Sequence, residues 1–141
     1  METTKLFNKN LLFLMVIFLS GCFSVAKAQD RYYYYTFDNS LLNTKNGYYL
    51  VISDPVKNWN QMTVEQKNDV KTEFRTSGNK QAGFSLMGYD AWNLKGFNYV
   101  ISSLSQCKES IQQEVSRFEE YYSKNKEKVP VKVIYVNLRR Y

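Results

Sequence analysis

An α+β domain is predicted for this chain, and three observations predict it. Tyr48-Tyr49-Leu50-Val51-Ile52 and Val131 to Leu138 are rich in apolar and β-branched residues at successive positions, as strands buried on both faces are. Ile111, Val115, Phe118 and Tyr122 recur at i, i+4, i+7 and i+11, which places them on one face of a helix. Thr63-Val64-Glu65-Gln66 has the form of a capping box. There a threonine hydroxyl and a glutamine side chain reciprocally satisfy backbone N–H groups at the start of a helix.

The elements follow in order. Tyr32 to Phe37 is a β-prone run of four tyrosines, a threonine and a phenylalanine. Asp38-Asn39-Ser40 and Asn43 to Gly47 are turn-rich, and Tyr48 to Ile52 is the next strand, ended by Asp54-Pro55. A helix runs from the Thr63 cap to about Arg75, with Val64, Val70 and Phe74 as a thin apolar stripe and Ser77-Gly78-Asn79 as its stop. Ala82 to Leu94 reads as a strand, Lys95-Gly96 as a turn and Phe97 to Leu104 as the strand that pairs back, a β-hairpin. The Ile111 helix ends in a lysine-rich exit, Lys124 to Lys128, which complements the partial negative charge of a helix C-terminus. Pro130 precedes the last strand.

From Tyr48 onward this order is β-α-β-β-α-β. It is the ferredoxin-like arrangement, an antiparallel sheet with two helices on one face, and the Tyr32 strand is an extra N-terminal strand at an edge. The strand Gly47 to Pro55, the hairpin Phe84 to Leu104 and the strand Val131 to Leu138 together resemble the dimeric α+β barrel superfamily. Leu86-Met87-Gly88-Tyr89-Asp90-Ala91-Trp92 resembles the strand segment of darcynin-like proteins in that superfamily. The resemblance implies a homodimer in which open sheet faces meet and a cavity lies between sheet and helices. The chain departs from it in lacking histidine and in its export signal.

That signal is the sharpest motif. Lys5 and Lys9 precede an unbroken apolar run from Leu11 to Leu19, too short to span about 30 Å of hydrocarbon as a helix. Leu19-Ser20-Gly21-Cys22 follows and resembles the lipobox of bacterial lipoproteins, whose cysteine is acylated and becomes the first mature residue. Ala26-Lys27-Ala28 offers a competing small-x-small exit with cleavage before Gln29. The expected organisation is a signal peptide at 1–21 (alternatively 1–28), a tether at 22–31 and a single domain at 32–141. Acylation at Cys22 makes the membrane a partner through the lipid anchor, since several acyl chains hold stably. Phe23 rather than aspartate follows the cysteine, so no enterobacterial inner-membrane retention signal is present. The localisation expected is an outer-membrane lipoprotein, or the periplasm or exterior if the second exit is used.

Composition excludes several classes. The formal net charge is +6; removing residues 1–28, with three lysines and one glutamate, leaves +4. That is a solvated surface rather than the basic stripe of a nucleic-acid binder, and no nucleic acid is expected as a partner. With Cys22 acylated or removed, Cys107 is the one remaining cysteine, so no intrachain disulfide forms. The chain has no histidine, which removes the Ser-His-Asp and Cys-His pairs and the commonest zinc ligand. No metal and no cofactor is expected.

Candidate residues come from the aromatics, 16% of the chain. Tyr33 and Tyr35 in the tyrosine run, Trp59 in the loop Lys57-Asn58-Trp59-Asn60, and Trp92 are the candidates for binding a ligand or partner. Tyrosine and tryptophan give large contact area with a polar handle at low entropy cost. Asp90, beside Tyr89 and Trp92, is the alternative catalytic candidate, because a carboxylate desolvated among rings can act as acid or base. Strand alternation puts Asp90 and Trp92 on one side and Tyr89 on the other. The expected function is a non-enzymatic binding role in the cell envelope through a tyrosine-rich surface, toward an envelope protein or a small ligand. The alternative is a small-molecule-binding or enzymatic dimeric α+β barrel that uses Asp90.

Overall fold

The computed structural model describes residues 29–39, 46–123 and 129–139. The elements are β1 (Tyr32–Asp38), β2 (Tyr48–Ser53), β3 (Val56–Lys57), a 3-10 turn (Trp59–Gln61), α1 (Val64–Ala82), β4 (Asn93–Lys95), α2 (Leu104–Tyr122) and β5 (Val131–Val136). They build an α+β fold with a five-stranded sheet and two helices.

β1 is the hub of the sheet. Thr36 is paired with Ile52 of β2 and also with Asn93 of β4, so β1 is flanked on both sides. It is an interior strand, not the added edge expected from the sequence, and its run of large β-prone residues suits burial on both faces. β3 continues the line of β2 along the same strand. Between the pairs Thr36–Ile52 and Tyr33–Val56 the chain steps three residues along β1 but four along its partner. That extra residue is a bulge. Ser53, 1% exposed, services it: its Oγ accepts the Tyr35 N–H at 2.8 Å and donates to the Asp54 carbonyl at 2.8 Å.

β2 lies between β1 and β5, and β5 runs parallel to it from Tyr48↔Val131 to Ser53↔Val136. The sheet is therefore mixed, not antiparallel throughout. Side chains alternate across it. Tyr35, Phe37, Tyr49 and Val51 face a core built with Val70 and Phe74 of α1. Tyr34, Leu50 and Ile52 face a second core built with Cys107, Ile111, Val115, Phe118 and Tyr122 of α2. The two helices thus cover opposite faces, and the expected placement of both on one face is corrected. The strands apolar on both faces account for this, since each face needs a cover.

Two local expectations also change. α1 does not stop at Ser77-Gly78-Asn79 but runs to Ala82, capped by Gly83 in the left-handed region, whose N–H donates to the Asn79 carbonyl at 3.0 Å. Gly78 is buried inside the helix, where a Cβ would overlap Met87 Cε and come within 2.9 Å of Val51 Cγ1. A small residue here marks close packing of α1 on β2, not a stop. The expected hairpin shrinks to three residues of β4, and 97–103 forms no strand. Asn79 replaces a ladder partner for the preceding loop: its Oδ1 accepts the Met87 N–H at 2.7 Å and its Nδ2 donates to the Met87 carbonyl at 3.1 Å. Of the expected second strand, Ile101 enters the core while Phe97 and Tyr99 stay exposed. The capping box at Thr63 is formed in full, and the α2 stripe from Ile111 to Tyr122 is buried as its period requires.

Candidate functional site

The sheet and α1 gather four of the sequence candidates into one aromatic wall. Tyr33 packs on Trp59 with ring centres 5.9 Å apart, and Tyr35 packs on Trp92 at 5.4 Å and on Phe74 at 5.5 Å. Trp59 Nε1 donates to the Tyr35 hydroxyl at 2.6 Å. Tyr33 and Tyr35 are 3% and 0% exposed, so their rings offer no recognition surface, and the Tyr35 ring holds α1 to the sheet through Phe74. Burial pushes the Tyr35 phenol up to about 12, against an opposing pull from the Trp59 bond. Trp59 and Trp92 are half-buried at the margin of this wall.

Asp90 stands exposed in a turn with Tyr89. The strand alternation expected for this segment is replaced by the turn, and Tyr89, Asp90 and Trp92 line one cavity together. Cys22 and the export segment lie outside the described residues. Cys107 is fully buried, with its Sγ 3.9 Å from the Tyr33 carbonyl, and burial pushes the thiol up to about 11, the opposite of what a nucleophile needs. Among the described residues no three His, Cys, Asp or Glu side chains come together to hold a metal ion, and no helix is long and apolar enough to cross a membrane.

A tyrosine that the sequence does not single out leads to the better site. Tyr34 points the other way from Tyr33 and Tyr35, toward α2, and forms the floor of a groove of about 780 Å³ between α2 and the β1–β4 edge. The Tyr34 hydroxyl donates to Glu114 Oε2 at 2.9 Å, and Lys95 Nζ stands 3.8 Å from Glu114 Oε1. Burial, with the Tyr99 hydroxyl and the Glu114 carboxylate beside it, pushes the Tyr34 phenol far above its usual range. One wall is aromatic, with Tyr121 against Tyr122 at 4.8 Å, and Tyr122 is itself stacked on Tyr48 at 4.2 Å. Tyr99 and Tyr121, 49% and 75% exposed, stand at the rim. Asp38 and Glu114 are matched by Lys95 and Arg117, so the lining is close to neutral. Period-2 alternation in the tyrosine run is the signal for this parity, but which parity meets α2 depends on packing that no local pattern encodes.

Alkaline pH tests the groove floor and the aromatic wall together. Both Tyr34 and Tyr35 are shifted upward in the folded state, so the unfolded chain ionises first. Their contribution to stability is fully present below about pH 10 and is lost as pH climbs toward the folded values. The expected result is a fall in the urea midpoint between about pH 9.5 and about pH 12, shallower in Tyr34→Phe than in the parent chain. An equal fall in both would show that Tyr34 is not held as described.

No protein-family model, no curated protein and no solved structure matches this chain.

Proposed function

We propose that this chain is an exported envelope protein, acylated at Cys22, whose domain binds a neutral, hydroxyl-rich ligand such as a sugar in the groove between α2 and β4, with no catalytic step. One observation carries the reading. Two exposed tyrosine rings, Tyr99 and Tyr121, stand over a floor of hydrogen-bonding groups, Tyr34, Glu114 and Lys95, in a charge-balanced cleft. Rings take the apolar face of a sugar while a few fixed polar groups orient its hydroxyls. Calorimetric titration with a panel of neutral oligosaccharides tests it. The expected result is a binder whose affinity drops at least about tenfold in Tyr99→Ala/Tyr121→Ala, the loss of about 1.4 kcal/mol of ring contact. A panel without a binder, or a double variant that binds equally well, removes the reading.

The anchor has its own test. Leu19-Ser20-Gly21-Cys22 supports acylation. Cells fed a fatty-acid analogue are expected to label the parent chain and to leave Cys22→Ser unlabelled and either unprocessed or released from the membrane fraction. A mature parent chain that starts at Gln29 and carries no label would make Ala26-Lys27-Ala28 the exit and the protein unanchored.

A further inference from the structure

We propose a second binding site, for an acidic saccharide, along the flank of α1 that carries Lys67, Lys71 and Arg75. The three cations are four residues apart, so they share a face and follow one another at about 6 Å along the axis. Each sits on an aromatic ring: Lys67 Nζ is 4.4 Å from the centre of Trp59, Lys71 Nζ 4.6 Å from Trp92, and the Arg75 guanidinium 4.4 Å from Tyr89. The rings come from separate places, the turn after β3, the approach to β4 and the loop before it. The ladder is therefore a product of the fold, not of one segment.

Two features set it apart from lysine stems that merely cover apolar surface. The ion pairs among the described residues, Lys57 with Asp30, Lys95 with Glu114 and Arg139 with Glu73, use none of the three cations. The acids of the same helix, Glu65, Asp69 and Glu73, are each offset by two positions from the cations. At about 100° per residue they fall on the opposite side. Positive charge is thus gathered on the aromatic flank and left uncompensated by carboxylates of its own helix.

Beside Lys71 and Arg75 lies a cavity of about 230 Å³, closed by Trp92, Tyr89 and Asp90. Its chemistry selects the ligand class. A carboxylate finds two cations, already held in place by their rings, at the helix side of the cavity. The exposed Tyr89 ring, 79% accessible, offers a face to the apolar side of a sugar ring. Asp90 accepts hydrogen bonds from hydroxyls, with Asn68 and Thr72 at the same opening. A polyphosphate or a polyacidic peptide brings negative charge without hydroxyl donors and meets Asp90 as a like charge. A glycan with a carboxylate on each sugar satisfies both sides and spans the cations in turn.

The full chain, held in non-ionic detergent, is titrated with hexagalacturonate by calorimetry, with maltohexaose, polyphosphate and polyglutamate as comparison probes. Hexagalacturonate is expected to bind, to weaken as salt rises from about 50 mM to about 500 mM, and to outcompete polyphosphate and polyglutamate; maltohexaose is expected not to compete for it. Lys71→Gln/Arg75→Gln is expected to lose about tenfold or more in affinity, as the removal of one or two charge-assisted contacts does. Lys71→Arg/Arg75→Lys, which keeps both charges, and Asp69→Asn, on the far side of the helix, are expected to bind as the parent does, which separates loss of the site from loss of the fold. Absence of hexagalacturonate binding at low salt, equal affinity for polyphosphate or polyglutamate, or unchanged binding in the glutamine variant would each overturn the proposal.

Discussion

Phe74→Ala is expected to destabilise the domain by about 3–5 kcal/mol, the usual cost of removing a fully buried phenylalanine from a core that cannot collapse around the gap. Phe74 is 0% exposed and stacks on Tyr35 at 5.5 Å with 30° between the ring planes. Tyr35 belongs to the central strand, and its own neighbours Trp59 and Trp92 carry the rest of the aromatic wall. Loss of Phe74 therefore loosens α1 from the sheet over its whole middle section. A domain of this size has about 5–15 kcal/mol in total, so the variant should unfold at a much lower guanidinium concentration. Val64→Ala in the same helix is the internal control. Val64 is 75% exposed at the first helical position, and its replacement should change stability by no more than about 0.5 kcal/mol. A Phe74→Ala loss below about 1 kcal/mol would mean that α1 does not pack through this ring.

That contrast also shows how much of the fold is legible in the sequence. Val64, Val70 and Phe74 form a stripe by spacing, yet the first of them faces water while the other two are buried. A long and internally consistent pattern reads correctly. Ile111, Val115, Phe118 and Tyr122 are all buried, and Leu50 to Ile52 fill both faces of a strand that has neighbours on both sides. Structure that depends on a single side chain reaching across space does not. Asn79 takes up both backbone groups of Met87 and so spares that loop a strand partner, which no window of local sequence reports. Gly78 reads as a helix stop by type and is a contact point by location. The helices cover opposite faces because β1 and β2 are apolar on both sides, and which helix takes which face is a long-range choice. The candidate site divides in the same way. Aromatic content announces recognition, and Trp59 and Trp92 do stand at an accessible margin, but Tyr33 and Tyr35 of the tyrosine run are buried. Tyr34 and its partners Glu114, Lys95 and Tyr99 come from four separate segments.

The junction of β1, β2 and β5 gives the second large effect. Gly47 is buried with φ at +105°, and its carbonyl accepts a hydrogen bond from Asn39 Nδ2 at 2.9 Å. Asn39 in turn accepts the Tyr49 N–H at 2.7 Å, and the Tyr48 N–H donates to the Pro130 carbonyl at 2.8 Å, so the Gly47–Tyr49 segment ties together β1, β2 and the start of β5. A Cβ at Gly47 would overlap that same Pro130 carbonyl oxygen, which is backbone and cannot rotate away as a side-chain end does. Gly47→Ala therefore meets an unfavourable φ and a backbone clash together, and is expected to cost about 2–4 kcal/mol. Gly83→Ala separates the two effects. Gly83 has φ at +82°, but a Cβ there would have nothing within 4 Å of it, so the variant bears the conformational penalty alone, about 1 kcal/mol. Urea midpoints of the two variants against the parent measure the difference. If Gly47→Ala were no worse than Gly83→Ala, the Pro130 carbonyl would not lie against Gly47, and the parallel pairing of β5 with β2 would have to start elsewhere.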